Sequence, residues 1–561
     1  MSAAVVLMLA CGAPTGAPVA PEPPSVPAGH GAATTIEAVE AETSVAERPL
    51  TVIPEFDAPE LLVNEVMSRN DASYMTPQLT FPDWFELVNA SAVAIDLGRV
   101  TVEDGSGATW TGPAGDVLEP GAVVLVTADD EGVGPYVAPF ALSADGDTLE
   151  VAVDGVTTDR IATGVLVGDQ ALARWPDGGA WAVQIFPTPG WSNVRPSESV
   201  NPKDALYTQD RVIDIYLWIT EENIQVLNGG FWPDYPSAPG DMMVDGAFFP
   251  DVSLKRKGSA SAQSFSGKPA LKVDINELVP GRRLRGVKGL TLNNGTHDET
   301  WTHEALTAFV YANLGIPSAR VGWARLWVND QPYGLYMNVE SIDDLFLEDW
   351  YQDPDGALYE GNLDDFGPSQ WGGIFDYEEG PEPEDRSVVS DVDAIVTGPN
   401  TDDAYEVLKH LVDMPQFHRY MAVEAIVMHW DGYKSPNNYR FYHDPVTDLI
   451  QFIPSGTDFT WTIGWSDTYG PYKGFGNLFQ WCLGTPACRA DYERVVLETC
   501  DEVDKYPLVD LFDAWTAMLE PDIVADPRTS HSPSAIAAAR VELVDYLTSQ
   551  VASVRAEVLA H

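Results

Sequence analysis

His429-Trp-Asp-Gly-Tyr-Lys-Ser-Pro-Asn-Asn-Tyr439, followed shortly by Pro454-Ser-Gly-Thr-Asp-Phe-Thr460, is the part of the chain that decides the reading. The two segments set an isolated Asp, a pair of Asn amides and a second Asp on neighbouring loops. Carboxylate and amide oxygens are hard donors that suit a magnesium nucleotide, and a lone carboxylate can orient a hydroxyl nucleophile. Asp431 is therefore expected as base or hydroxyl-orienting group. Asn437 or Asn438 offers an amide oxygen to Mg²⁺, and Asp458 is expected as the principal metal ligand. Structural roles are open to the same residues: Asp431 can cap a turn or helix, and an Asn pair after Pro436 is ordinary turn material.

With 561 residues and 45% hydrophobic side chains, the chain is long enough for two or more domains, each with its own core. Its 31 basic against 85 acidic side chains give a formal net charge of −54. A surface of that sign repels nucleic acid and anionic lipid head groups, which argues against DNA, RNA and polybasic membrane docking. The charge itself needs no more than a role in solubility. A polyphosphate site must gather the scarce Lys and Arg locally.

Ala3 to Ala10 is a short apolar run ending at Cys11, and Met8-Leu-Ala-Cys11 resembles a bacterial lipobox, so residues 1–11 are expected to be an export segment lipidated at Cys11. No Lys or Arg precedes the run, and an unprocessed terminus is the alternative. On the first reading the protein is extracytoplasmic, secreted or lipid-anchored to a bacterial membrane, and touches the membrane only through Cys11. Residues 12–57, rich in Pro, Ala and Glu, read as a solvated linker. Of the other cysteines, Cys482 and Cys488 bracket a turn-like loop that a disulfide could close, and Cys500 is the other partner for either. A zinc site there lacks both a neighbouring His and a fourth ligand.

From 58 to 195 short apolar stretches alternate with Gly, Asp and Pro turns, which predicts an all-β sandwich. Leu62-Val-Asn-Glu-Val66, Asp83-Trp-Phe-Glu-Leu-Val-Asn89, Leu118-Glu-Pro-Gly-Ala122, Ala173-Arg-Trp-Pro-Asp177 and Pro187-Thr-Pro-Gly-Trp-Ser-Asn193 resemble a lamin-tail domain, which implies an immunoglobulin-like fold. Trp84 and Phe85 could stack on a sugar or a partner, giving the sandwich an extracellular ligand. The favoured alternative points Phe85 and Leu87 into the core, with Asp83 and Glu86 supporting turns and strand edges.

Residues 203–561 read as a second, α+β domain. Val212–Ile219 and 251–258 are expected strands, the second running into the small-residue loop Gly258-Ser-Ala-Ser-Ala-Gln-Ser-Phe-Ser-Gly267. Such a loop can bring backbone N–H groups to phosphate oxygens, and Lys255, Lys257, Lys268 and Lys272 form a basic cluster beside it. A helix is expected at about 300–314, with Leu306, Phe309, Val310 and Leu314 on one face and Gly315 and Pro317 as its stop. A hairpin over a four-to-five-residue turn follows, then a helical stretch from Glu340, and 377–402 reads as a mobile acidic insertion. Near the C-terminus Ser532-Pro533 can start a helix with a core-facing stripe from Ile536 to Val558.

The order His-x-Asp…Asn…Asp-Phe is similar to the catalytic and metal loops of protein kinases, although Asp431 and Asn437 lie one residue farther apart. Lys255-Arg-Lys-Gly-Ser-Ala-Ser261, Leu290-Thr-Leu-Asn-Asn-Gly-Thr-His-Asp298, Val339-Glu-Ser-Ile-Asp343, Gly356-Ala-Leu-Tyr359 and Asn437-Asn-Tyr439 resemble the spore-coat protein H (CotH) kinase family. That resemblance implies a secreted, atypical kinase-like fold that binds ATP with Mg²⁺ or Mn²⁺ and phosphorylates Ser or Thr of surface proteins. Lys257 and Lys272 are then the expected phosphate contacts, with Lys288 as rival. Glu340 stands where a hinge residue meets the adenine amine, and Glu304 could pair with the nucleotide Lys or be solvated. One departure matters: the family's metal loop reads Pro-Trp-Asp-x-Asp, whereas Pro454-Ser-Gly-Thr-Asp458 lacks the Trp and the first acid, and His303 stands where Arg is usual. The functional expectation is a surface-anchored Ser/Thr kinase. The alternatives are a catalytically impaired kinase fold acting as a binding scaffold and a purely structural coat protein.

Overall fold

The computed structural model describes residues 61–561 apart from 72, 73, 75, 77–79, 131, 185, 186, 191, 192, 194–200, 245, 246, 369–374 and 465–469. The expected export segment, Cys11 and the linker over 12–57 lie outside the described residues. In the N-terminal region, apolar residues alternate along Thr148–Val153, and Leu149, Val151 and Val153 are buried, as a half-buried strand requires. Two sheets form in this way. One runs Ala180–Gln184, Ala171–Trp175, Leu61–Met67, Asp83–Asn89, Val123–Ala128, Val137–Ala138; the other runs Val156–Ala162, Thr148–Val153, Val100–Asp104, Thr109–Thr111. Between them Phe85 stacks on Phe140 at 6.1 Å and meets Trp110 edge-on at 6.3 Å.

Trp84 is also fully buried, packed with Met67 and Ala171, so neither ring of the Trp-Phe pair is open to a sugar or a partner. Glu86 is not at an edge but inside. It accepts from the Asn64 side chain at 2.9 Å and from the Gly190 N–H at 2.8 Å. Next to it Glu65 accepts from the Thr188 N–H and hydroxyl, the latter at 2.9 Å. Burial, with Glu86 adding its charge, pushes Glu65 up to about 8, and burial pushes Glu86 up to about 7.

The second region begins with seven strands: β1 (Val212–Trp218), β2 (Ser237–Val244), β3 (Ala247–Arg256), β4 (Leu271–Asp274), β5 (Gly289–Asn293), β6 (Val321–Val328) and β7 (Gln331–Val339). They close a barrel in the order β1-β2-β3-β4-β5-β7-β6, and β6 returns parallel to β1. Alternating Ile213, Ile215 and Leu217 meet Leu254, Val273 and Leu290 inside it. The β6–β7 hairpin turns on two residues rather than four or five. Asn329 and Asp330 both take left-handed backbone, at φ 50° and 61°, which matches the twist of paired strands. Barrel and sandwich touch where the Arg285 N–H donates to Asp169 at 3.0 Å and Phe81 packs on Phe249.

Between β5 and β6 lies helix α1 (His303–Asn313), with Leu306 and Val310 buried as expected. Asp298 fixes its start, accepting from the N–H groups of Thr300, Trp301 and His303 at 2.8 to 2.9 Å. After the barrel come β8 (Ala357–Gly361), β9 (Asp376–Glu379), β10 (Tyr439–Asp444) and β11 (Leu449–Pro454), ordered β9-β8-β10-β11. Helices α2 (Met414–Ile426), α3 (Asn477–Gly484), α4 (Pro486–Val503), α5 (Leu508–Ala525) and α6 (Pro533–Ala560) share one core with α1. The stripe on α6 is buried from Ile536 to Val558, and Ser532 caps it by accepting from the Ala535 N–H.

The acidic stretch 377–402 is built into the fold, contrary to expectation. β9 pairs with β8, Arg440 reaches Glu378 at 3.4 Å, and Ser387–Val396 forms a helix that buries Val388, Val389 and Val392. Apolar residues one turn apart outweigh the surrounding charge. Cys482 and Cys488 form a disulfide and Cys500 is a buried free thiol. His418 of α2 lies 3.4 and 3.5 Å from the two sulfurs, a neighbour that linear spacing does not reveal. Sulfurs bonded to each other are not thiolate ligands, so the oxidised pair makes no zinc site. Among the described residues no helix is long and apolar enough to cross a membrane.

Candidate functional site

A cavity of about 730 Å³ separates the barrel from the helical part, and Lys257, Lys272, Glu340, Asp431, Asn437, Asn438 and Asp458 all line it. Its size suits a nucleotide-sized ligand. On the helical side the loop after α2 is shaped by Glu424, whose buried carboxylate accepts from the N–H groups of Tyr433 at 2.7 Å and Lys434 at 3.0 Å. His429 donates through Nε2 to the Gly456 carbonyl at 3.3 Å, which ties this loop to the one carrying Asp458. Burial lowers His429 to about 4, so the ring is neutral.

Asp431 is held from both sides. Its two oxygens accept from Asn437 Nδ2 at 3.1 Å and Asn438 Nδ2 at 2.8 Å, which leaves both amide oxygens as acceptors. Burial pushes Asp431 up to about 6; the Asp458 charge adds to this and the two Asn hydrogen bonds oppose it.

Asp458 sits on a short helical turn, Thr457–Phe459, with its Oδ2 2.9 Å from His297 Nδ1. The His297 ring stacks on Phe459 at 4.1 Å, and Phe459 packs on Trp430. Helix α1 presses on the same loop: the Thr307 and Thr460 hydroxyls are 2.9 Å apart, Trp461 Nε1 donates to Thr307 at 3.0 Å, and His303 Nδ1 lies 3.3 Å from the Asp458 carbonyl. The placement of α1 and that of Asp458 are therefore linked.

On the barrel side Lys257 follows β3, and its ammonium donates to Asn293 Oδ1 at 2.6 Å. Asn293 Nδ2 in turn donates to both Glu304 oxygens, at 2.8 and 2.9 Å. Lys257 and Glu304 are thus joined through an amide. Glu304 is not solvated: it is 2% exposed, and burial together with Asp458 drives its carboxyl well above the ordinary range. Burial lowers Lys257, with Glu304 and Asp458 opposing. The loop after Lys257 is pinned by Asn294 Nδ2, which donates to the carbonyls of Ser261 at 3.0 Å and Lys268 at 2.7 Å.

Of the other lysines, Lys268 turns away into a buried ion pair with Asp526 at 2.5 Å, while Lys288 lines the cavity paired with Asp344. Lys272 lines the cavity from β4. Glu340 reaches the cavity wall, but its carboxylate takes Arg320 at 2.8 and 3.0 Å, with Lys203 at 3.9 Å, so its side chain is already engaged. Asn293 and His297 were not singled out from sequence. Both lie in the stretch from Leu290 to Asp298, where polar residues crowd the end of an apolar strand. The oxygens of Asp458, Asn437 and Asn438 fit a hard divalent cation, and Lys257 with the following loop fits phosphate oxygens.

A protein-family model described as CotH kinase protein matches residues 254–554, more than half of the chain, and one described as Lamin Tail Domain matches residues 54–165. The N-terminal sandwich is thus an immunoglobulin-like lamin-tail region, and a mixed α/β region follows it. The chain is 24% identical to inner spore coat protein H of Bacillus subtilis over 302 residues, covering 50% of this chain and 80% of that protein. It is 21% identical to Invasin CotH7 of Rhizopus delemar over 430 residues, covering 68% and 67% of the two chains.

Proposed function

Since the chain belongs to the CotH kinase protein family, we propose that it is a surface protein kinase. In this reading it transfers the γ-phosphate of ATP to Ser or Thr hydroxyls of envelope or extracellular proteins. One observation carries the reading: Asp431, gripped by two Asn amides, shares a cavity with Asp458 and with the Lys257–Asn293–Glu304 chain. When bound, ATP with Mg²⁺ or Mn²⁺ supplies the transferable phosphoryl group and a charge-neutralising cation. Asp431, raised to about 6, is mostly ionised at neutral pH and still basic enough to take the acceptor hydroxyl's proton as the new O–P bond forms and the bond from the γ-phosphorus to the departing ADP oxygen breaks. Asn437 and Asn438 fix its orientation with their N–H groups and would offer their amide oxygens to the cation. Lys257, braced by Asn293 against Glu304, neutralises phosphate charge, and Lys272 adds to it. The relatives' names, a spore coat protein and an invasin, support a surface or extracellular location. Anchoring through a lipid on Cys11 belongs to the same proposal.

A second reading has its own observation. Gly456 stands where the family pattern has the first acid of the metal loop, which favours a protein that holds nucleotide without turnover and serves as a surface scaffold. Incubating the protein with labelled ATP and Mg²⁺ or Mn²⁺, beside Asp431→Ala and Asp458→Ala, separates the two. Incorporation by the wild type alone, with each variant lower by at least about 100-fold, supports the kinase. Nucleotide binding without incorporation supports the scaffold, and absence of both sinks the nucleotide reading.

A further inference from the structure

His297 lines the cavity with its side chain 16% exposed, and stacking on Phe459 fixes the plane of its ring. Its Nδ1 lies 2.9 Å from Asp458 Oδ2. That separation has two chemical meanings. It is a hydrogen-bond length, and it is also the edge of an octahedral site, since two neighbouring ligands at about 2.1 Å from one ion are about 3.0 Å apart. The same loop offers a cation fewer carboxylates than the family pattern, because Gly456 has no side chain. The space its β-carbon would take is filled by Asn438, 2.6 Å away at Cγ. A cation held beside Asp458 therefore has one acid where the pattern has two, and a rigid imidazole nitrogen next to that acid.

We propose that His297 is a direct nitrogen ligand of the divalent cation, adjacent to Asp458, and that this chain consequently selects a first-row transition ion such as Mn²⁺ over Mg²⁺. Mg²⁺ keeps to oxygen donors and water, whereas a mixed nitrogen and oxygen set holds Mn²⁺ and its heavier neighbours more tightly. The inference rests on the reading of the cavity as a metal–nucleotide site.

The test is pulsed electron paramagnetic resonance on the full-length protein, biosynthetically labelled with ¹⁵N-histidine and loaded with Mn²⁺ and ADP. A histidine ¹⁵N coupling to Mn²⁺ in the wild type, absent from His297→Gln, is the expected result; the isotope separates it from the adenine nitrogens. The wild-type spectrum does not depend on how the variant folds. In parallel, calorimetric titration is expected to show His297→Gln losing about tenfold in the preference for Mn²⁺ over Mg²⁺. Mn²⁺ bound with nucleotide but without a histidine coupling overturns this inference and leaves the kinase reading standing. So does an equal loss for both ions, which would make His297 a partner that merely orients Asp458. If neither Mn²⁺ nor ADP binds, the cavity reading falls and takes this inference with it.

Discussion

Gly456 is the residue at which the chain leaves its family's metal-loop pattern, and its surroundings give the departure a cause. Its backbone is left-handed, at φ 56°, and a β-carbon there would meet Asn438, which is itself left-handed at φ 44° and committed to Asp431. Gly456→Asp, which restores the missing acid, is therefore expected to displace Asn438 from Asp431. Its cost should be about 1–3 kcal/mol, read from denaturant midpoints, together with lower phosphate incorporation. Higher incorporation at unchanged stability would show that the loop has room for the acid. Asn293 makes a second residue-scale case. Asn293→Ala removes the amide between Lys257 and Glu304 and leaves two buried groups without their partner, so nucleotide affinity should fall about tenfold or more. An unchanged dissociation constant for a nucleotide analogue would dismiss the bridge. That Asp431, Asn437, Asn438 and Asp458 share one cavity was legible because they fall on two loops close together in the chain. Asn293 and His297 were not, since their meaning comes from contacts such as His297 with Asp458, 161 residues apart in the chain.

At the scale of elements, period and punctuation carried the reading where packing agreed with them. Helix α1 and helix α6 formed on their apolar stripes, whereas 377–402 folded against expectation because three valines find the core and Arg440 meets an acid. Nothing local could announce the segment between α5 and α6 as a clamp. Asp526 accepts from Lys268 Nζ at 2.5 Å, from the Leu335 N–H at 3.0 Å and from the Arg528 N–H at 2.8 Å. Arg528 then donates to the carbonyls of Phe265 at 3.2 Å and Gly267 at 2.6 Å, holding the far side of the small-residue loop. Lys268, read from sequence as part of a phosphate-binding cluster, is instead the buried cation of this clamp. Asp526→Ala leaves that ammonium buried and unpaired, and the expected cost is about 3–5 kcal/mol in urea unfolding. A loss below 1 kcal/mol would mean that the segment does not fasten the barrel to the helices.

For the molecule as a whole, the order of a β-sandwich and then a kinase-like region was legible because each carries its own alternation and motifs. The buried acids that lock the sandwich were not, since Glu65 and Glu86 look like ordinary surface residues in a chain with 85 acidic side chains. Their burial makes the sandwich respond to pH in a definite direction, and the hydrogen bonds from Thr188 and Gly190 oppose the shift without cancelling it. Both carboxyls are raised from an ordinary value near 4.5, Glu65 to about 8 and Glu86 to about 7, chiefly by burial. A raised carboxyl favours the folded state fully below its unfolded value, and that contribution is lost as pH rises through the folded value. Stability of the sandwich should therefore decline from about pH 5 to pH 8, the opposite of the gain expected from a salt-bridged carboxylate. Ordinary exposed acids are already ionised across most of that window and contribute little slope. Glu65→Gln keeps a hydrogen-bonding group in place but cannot ionise, so its slope should be shallower, and above pH 8 it should be the more stable of the two proteins. Amide hydrogen exchange in Leu61–Met67, corrected for intrinsic rates at each pH, isolates this region from the titrating groups of the cavity. Equal slopes in the wild type and the variant would show that Glu65 stays charged in the fold and that the rigidity of the sandwich has another source.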